Sequence, residues 1–305
     1  MSELRPDVTM SLYPDESGSR GKSDDKDNRR EDVAQASQAV LAALLEKRFG
    51  ESFDVSLAGD HARALAEIAG HAVHRKWSDR PVAPELVRLI AACALSAPSK
   101  SDLQQASIIH VQDKSQASRI AALVPQFSWF PDAPVLMVFC GDGARTREIF
   151  RRAGQVFPNE HLDQFFNAVV DGTLVMQNFM RAASAVGLVY CPISVVRDRA
   201  IELDRILGLP SHVFPIAALC LGYPSQSGRV LPRLGLDATF HVDQYHVDNL
   251  GASLGAYDQR RTQSALSAKV TVTPTAWTQD KLKQYLQPQR ADWGEYIRSK
   301  GFHLS

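Results

Sequence analysis

Residues 160–186 carry a long helical pattern that is apolar on more than one side. Leu162, Phe166, Val169, Met176 and Met180 recur at helical spacing and form one stripe, while Phe165, Leu174 and Phe179 make a neighbouring side apolar as well. A helix with a single stripe can rest on the surface of a domain. One that is apolar over a wider arc must be covered on most of its faces, by the rest of its own chain or by a second subunit. Any fold open to this sequence is therefore built around that helix.

Strand-like runs alternate with helical ones on either side of it. Residues 108–111 are short, apolar and β-branched, and 135–140 are a continuous apolar run of the kind a fully buried strand shows. Residues 188–195 and 214–221 predict two further strands, the second ending at Gly222-Tyr223-Pro224. Helices are predicted over 39–49, with Val40, Leu41, Leu44 and Leu45 on one face, and over 60–68, capped by Asp60 and stopped by Gly70. Another starts at Pro84, which suits the first helical turn, with Leu86, Leu89, Ile90 and Cys93 following at helical spacing. Residues 199–207 and 291–300 complete the helical set. The alternation implies an α+β architecture, a sheet covered by helices. Residues 1–37 are polar and poor in large apolar side chains, so they cannot offset their ordering entropy and are expected to form a disordered tail. The folded domain is then 38–305.

Composition narrows the function. Lys+Arg and Asp+Glu both number 34, so the chain lacks the basic excess of a nucleic-acid binder. A balanced charge suits a small-molecule protein and permits self-association. No apolar run reaches the roughly 18–20 residues that cross a bilayer, and residues 1–15 lack the core of a signal peptide, so a cytoplasmic protein with no membrane partner is expected. Cys93, Cys140, Cys191 and Cys220 form no C-x-x-C pair and sit in apolar segments. They read as core residues; neither a metal site nor a disulfide is expected.

Three segments carry polar groups suited to chemistry. His71-Ala72-Val73-His74-Arg75 follows a helix end. The stretch from Ala97 to Gln105 (Ala-Pro-Ser-Lys-Ser-Asp-Leu-Gln-Gln) puts hydroxyls, a cation and amides on a turn before a strand, where they can bond a phosphate or a polar ring edge. Leu231-Pro232-Arg233 ends a polar loop, and Arg233 can form a bidentate pair with a phosphate. Each has a plainer alternative: a helix-capping histidine, a turn, a solvated arginine. There is no G-x-S-x-G elbow, H-E-x-x-H pair, P-loop or G-x-G-x-x-G after a strand.

In their order and spacing these segments resemble the nitroreductase family, in particular its NADPH-dependent oxygen-insensitive nitroreductase and flavin reductase P branch. The most specific stretch runs from His212-Val213-Phe214-Pro215-Ile216 through Leu219-Cys220-Leu221-Gly222-Tyr223-Pro224 to Leu231-Pro232-Arg233-Leu234. Val169-Val170-Asp171-Gly172 with Gln177-Asn178, Leu103-Gln104 with Ser107-Ile108-Ile109, and the span from Trp277 to Phe302 add to it. The resemblance implies a central, mostly antiparallel sheet of four or five strands flanked by helices. It also implies an interlocked homodimer with two FMN sites at the interface, and a C-terminal arm (about 241–305) reaching across to the partner. It implies FMN as cofactor, NADPH or NADH as electron donor, and a small-molecule acceptor (a nitroaromatic, a quinone or a flavin) reduced by ping-pong two-electron transfer with no catalytic side chain. Carried over by position, His71 and Arg75 belong to the first FMN-binding segment, and Ser99, Lys100 and Ser101 to the loop at the ribityl-phosphate and ring. Ile193 and Ser194 pass the ring, and Arg233 binds the phosphate.

The departures fall at the same places. The family pattern has Arg-Ser where this chain has Ala72 and Val73, a lysine at Leu231, and Gly-Gly at Ser194-Val195. The basic loop that recognises NADPH reads Val270-Thr271-Val272-Thr273-Pro274, with Lys269 the nearest cation. Two positive charges are thus missing near the phosphate, at about 1.5–3 kcal/mol per charged hydrogen bond. Lys100 is the expected compensation. The alternative reading is a non-catalytic dimeric scaffold with weakened FMN binding, and a further one is an FMN enzyme of related fold with different chemistry.

Overall fold

The computed structural model describes residues 24–268 and 275–305. Its sheet has four strands, β1 (Ala106–Val111), β2 (Val135–Asp142), β3 (Val189–Ile193) and β4 (Val213–Gly222), in the order β1-β2-β4-β3. Every pairing is antiparallel. The two central strands are those whose sequences are apolar without alternation; all eight residues of β2 are buried, as a strand covered on both faces requires.

Ten helices lie around the sheet among the described residues: α1 (Asp24–Phe49), α2 (Gly59–Ala69), α3 (Pro84–Leu95), α4 (Lys114–Ala121), α5 (Ala144–Arg152), α6 (Leu162–Ala185), α7 (Ala200–Leu207), α8 (Leu250–Ser267), α9 (Trp277–Tyr285) and α10 (Trp293–Ser299). The pleat of β2 sends Met137 and Phe139 to one face, against Ile90 of α3 and Phe179 of α6. Leu136, Val138 and Cys140 point to the other, where Ile120 of α4 and Leu203 of α7 close a second core. Helix α6 approaches the sheet closely because it presents Gly172: a Cβ there would collide with Ile216 and lie 3.1 Å from the Cys140 carbonyl oxygen. The side of α6 turned away from the sheet leaves Leu162, Phe166, Val170 and Leu174 exposed, one residue per turn.

Several sequence expectations change in detail. Residues 1–23 of the expected tail lie outside the described residues, but from Asp24 onward the chain is helical as far as Phe49, so the boundary at 37 is not a structural one. A polar segment can do this because a helix satisfies its backbone within itself and, once nucleated, extends at little cost. The nucleus is the packing of α1 on α2, where Leu41 meets Ala62 and Ala66. The two helices come close enough that a Cβ on Gly59 would lie 2.8 Å from the Cα of Ala34. Val40, expected on the inner face, is exposed. Helix α2 starts at Gly59 with Ala58 as N-cap, so Asp60 lies inside the helix and does not cap it. Helix α3 buries Val87, Ile90 and Ala94, a face rotated from the expected one; Leu89 and Cys93 are exposed. Only the other three cysteines are core residues. Strand β3 ends at Ile193, and Ser194–Arg199 turns as a short 3-10 helix. No helix of the described residues is long and apolar enough to cross a membrane.

Candidate functional site

The last turn of α1, the end of α2 and the 231–233 loop meet at one point. Gly70 closes α2, its N–H donating back to Ala66, and places His71 against β3, where the imidazole stacks on Tyr190 with centroids 5.4 Å apart and planes 15° from parallel. Three residues on, the His74 amide donates to the Tyr190 carbonyl at 3.1 Å and continues the segment along the sheet edge. Arg48 enters from α1 and is only 5% exposed. Its Nε donates to the Ala69 carbonyl at 2.8 Å, one Nη to the Leu231 carbonyl at 2.8 Å, and the other Nη to the His71 carbonyl. The backbone closes the knot, the Arg233 amide donating to the Arg48 carbonyl at 2.6 Å. One guanidinium thus ties together two of the three segments singled out in the sequence.

These residues line a cavity of about 420 Å³. Its polar lining is Arg48, His71, Gln177, Arg181, Tyr190 and Arg233; the rest is apolar, with Leu41, Leu45, Phe49, Leu65, Ile68, Ala69 and Met180. Among the described residues no carboxylate lines it. Among the described residues none of the ion pairs involves Arg48, Arg181 or Arg233. Uncompensated positive charge beside low-dielectric walls makes a field that attracts anions. The same field acts on the histidine: burial first, then the charges of Arg48 and Arg233, hold the His71 pKa below the ordinary value. The ring is therefore neutral at pH 7 and offers one donor and one acceptor. Burial and the charge of Arg233 likewise lower the Arg48 pKa.

The serine loop is a separate construction. Asp171 of α6, 2% exposed, accepts from the Ser99 hydroxyl at 2.7 Å, the Lys100 amide at 3.2 Å and the Gln105 amide at 2.9 Å. The Ser99 hydroxyl oxygen in turn accepts from the Gln104 amide at 2.7 Å. Pinned at both ends, the loop holds Ser101, Asp102 and Gln104 at φ of 49°, 54° and 50°, left-handed backbone that side-chain-bearing residues seldom adopt. Such strain persists where surrounding contacts over-determine it. Ser99, Gln104, Arg145 and Asp171 line a cavity of about 190 Å³ that shares no residue with the first.

The structure therefore joins His71 and Arg233 in one place and Ser99, Lys100 and Ser101 in another. Lys100, expected to restore charge near the phosphate, pairs instead with Asp163 at 3.2 Å and does not line the His71 cavity. Arg75 is exposed, its guanidinium 5.8 Å from the Trp129 ring centroid, and is also absent from that cavity. Ile193 is 3% exposed and its side chain is spent on the core; the neighbouring Ser194 is exposed. Residues 269–274, the place expected for a nicotinamide-recognising loop, lie outside the described residues. Sequence reasoning missed Arg48, Arg181, Tyr190 and the anchoring role of Asp171. For Arg48 a signal existed: it falls seven and fourteen residues after Leu41 and Ala34, on the face of α1 that packs inward.

Comparison with known proteins gives the frame. The nitroreductase family model matches residues 68–223, and the model of that family's C-terminal domain matches 232–305. An FMN reductase [NAD(P)H] of Bacillus subtilis is 29% identical over 250 residues, 79% of this chain and 98% of its own length. An oxygen-insensitive NADPH nitroreductase of Salmonella typhimurium is 28% identical over 239 residues, covering 77% of this chain and 96% of that protein. Among solved structures, NfrA2 of B. megaterium superposes with a TM-score of 0.76 at 26% identity, over 79% of this chain and 98% of its own. The NADPH:FMN oxidoreductase of Vibrio harveyi complexed with NAD+ gives 0.69 at 28% identity, over 78% and 98%. Helix α1 precedes residue 68, where the family match begins.

Proposed function

From the premise that the chain belongs to the nitroreductase family, we propose that it is an FMN-dependent NAD(P)H oxidoreductase that reduces nitroaromatics, quinones or flavins by ping-pong two-electron transfer. The observation that carries the reading is the cationic cavity, lined by no carboxylate of the described residues, on which His71 and Arg233 converge. Its donor set fits FMN: guanidinium groups suit a phosphate, and the stacked His71–Tyr190 pair and apolar walls suit a flat aromatic body. When bound, FMN supplies the hydride acceptance and donation on which the reaction depends.

The chain's part is binding and placement. Arg233 holds the anionic end, helped by the neutral His71, which can donate one hydrogen bond without adding a charge. Fixed positive charge also favours the extra negative charge that a reduced cofactor carries. Asp171 keeps the serine loop in its strained shape, so the exposed Ser101 hydroxyl is presented without further ordering cost. No side chain is needed as acid or nucleophile.

A homodimer follows from the same reading. The apolar row on α6 (Leu162, Phe166, Val170 and Leu174) lies open on the single chain, and a partner would cover it. Pairing also accounts for the two halves of the site lying in separate cavities, since each subunit can offer its serine loop to its mate. Residues 241–305 then serve as a dimer arm, and the protein works in the cytoplasm. The test is the anaerobic absorption spectrum of the purified protein. Flavin bands bleached by NADPH or NADH, with parallel lines in steady-state plots against a benzoquinone, support the reading. Protein that stays colourless with added FMN sinks it.

A further inference from the structure

The chain brings to the His71–Arg233 cavity a cation from a helix outside the matched family region. Arg48 sits in the last turn of α1, well before residue 68. Its guanidinium is bonded to the carbonyls of His71 and Leu231, the two points between which the cavity's anionic ligand would be held. A guanidinium has five N–H groups. Three serve carbonyls, one each from Nε and the two Nη atoms, so each Nη keeps one more to offer. Arg48 lies near enough to Arg233 for their charges to act on each other, and among the described residues no carboxylate lines the cavity they share. Placing two like charges beside one another, one of them nearly buried, is costly unless an opposite charge arrives.

We propose that Arg48 is a phosphate-binding residue of this cavity, acting with Arg233 on the anionic end of the bound cofactor. The proposal rests on the FMN reading above. It assigns α1 a function: the helix delivers a charge at a place where Leu231 and Ala72 supply none. The competing role is structural, with Arg48 merely fastening the end of α2 to the 231–233 loop. That role predicts equal damage to every ligand of the cavity, whereas a phosphate contact predicts damage only to ligands that carry one.

FMN and riboflavin differ by that phosphate alone, so the test compares their dissociation constants by flavin fluorescence for wild type, Arg48→Gln and Arg48→Lys in the full chain. Expected for Arg48→Gln is a loss of roughly 10- to 100-fold in FMN affinity, as for one charged hydrogen bond, with riboflavin changed less than about threefold. Arg48→Lys, which keeps the charge and loses the fork, retains most of the FMN preference. An unchanged FMN-to-riboflavin ratio in Arg48→Gln overturns the proposal and leaves the flavin reading standing. Wild-type protein that binds neither flavin overturns the flavin reading, and Arg48 is then judged on pyrophosphate. A thermal shift with pyrophosphate that Arg48→Gln lacks sustains the anion site, and no shift in wild type ends it.

Discussion

Replacing Asp171 by alanine removes a single buried carboxylate that three donors share. Of those donors, the Gln105 amide is enclosed, since Gln105 is 1% exposed; Ser99 and Lys100 are near enough to water to be rehydrated. The enclosed amide forfeits its full desolvation penalty, about 1–3 kcal/mol, and each of the other two forfeits a net hydrogen bond of about 0.5–1.5 kcal/mol. The gross cost is thus about 2–6 kcal/mol. Part returns as strain relief, because Ser101 can leave the left-handed region once the loop is released, worth on the order of 1 kcal/mol, while the amides of Asp102 and Gln104 keep their own bonds to Ser99. The expected net destabilisation is about 3 kcal/mol. Urea unfolding followed by tryptophan fluorescence, at one protein concentration, measures it. Asp171→Asn should fall between wild type and alanine, because an amide oxygen can still serve the Ser99 hydroxyl and the Gln105 amide while its NH2 opposes the Lys100 amide. A loss below about 1 kcal/mol for Asp171→Ala would refute the view that this carboxylate holds the loop.

Three further outcomes are expected. Phe166→Asp, which puts a charge in the middle of the exposed apolar row of α6, should convert a dimer to monomer in sedimentation velocity; a dimer of unchanged strength would move the interface elsewhere. Gly172→Ala should destabilise by about 1–3 kcal/mol, because the new methyl meets Ile216 and the Cys140 carbonyl where α6 rests on β2; a neutral effect in urea would show that the helix can lift without cost. Acid should weaken the fold from about pH 6.5 downward: the His71 pKa is depressed in the folded state, so as pH falls below the unfolded value of 6.5 the unfolded chain binds a proton that the folded chain refuses. His74, His110 and His212 are shifted the same way, chiefly by burial, and each adds up to about 1.4 kcal/mol per pH unit in that window. His71→Gln should reduce the slope between pH 6.5 and 5.5, and an identical slope would place that titration elsewhere.

The sheet was legible because its central strands bear their burial in composition. Residues 135–140 and 214–221 are apolar without alternation, and such runs have few solutions other than a strand covered on both sides. The long helix was legible to within two residues at its start and one at its end, since its period is unambiguous over many turns. The polar N-terminal part of α1 was not, because its composition says what a segment cannot bury and nothing about whether it can extend a helix already anchored by Leu41. The faces of α3 were misjudged for a related reason: Leu89 and Val87 fit two stripes equally well, and only the position of α6 decides which is covered.

The site was legible as a set of segments and illegible as a distribution of charge. Neutral residues at Ala72 and Leu231 read as two lost cations when each position is judged alone, and the nearest sequence remedy, Lys100, lies beside its own carboxylate, Asp163. Charge around a ligand, however, is a property of space and not of position in the chain. A guanidinium from α1 reaches the carbonyls of His71 and Leu231, and a further one, Arg181, lines the cavity from α6 along with Arg233. With a phosphate bound in this cavity, the cation deficit of the motifs would be made good by residues that no motif contains. Arg48 shares the inward face of α1 with Ala34 and Leu41, and its three carbonyl partners, one of them at the end of α2, offset part of the cost of its burial; an anion in the cavity would supply the opposite charge that they lack.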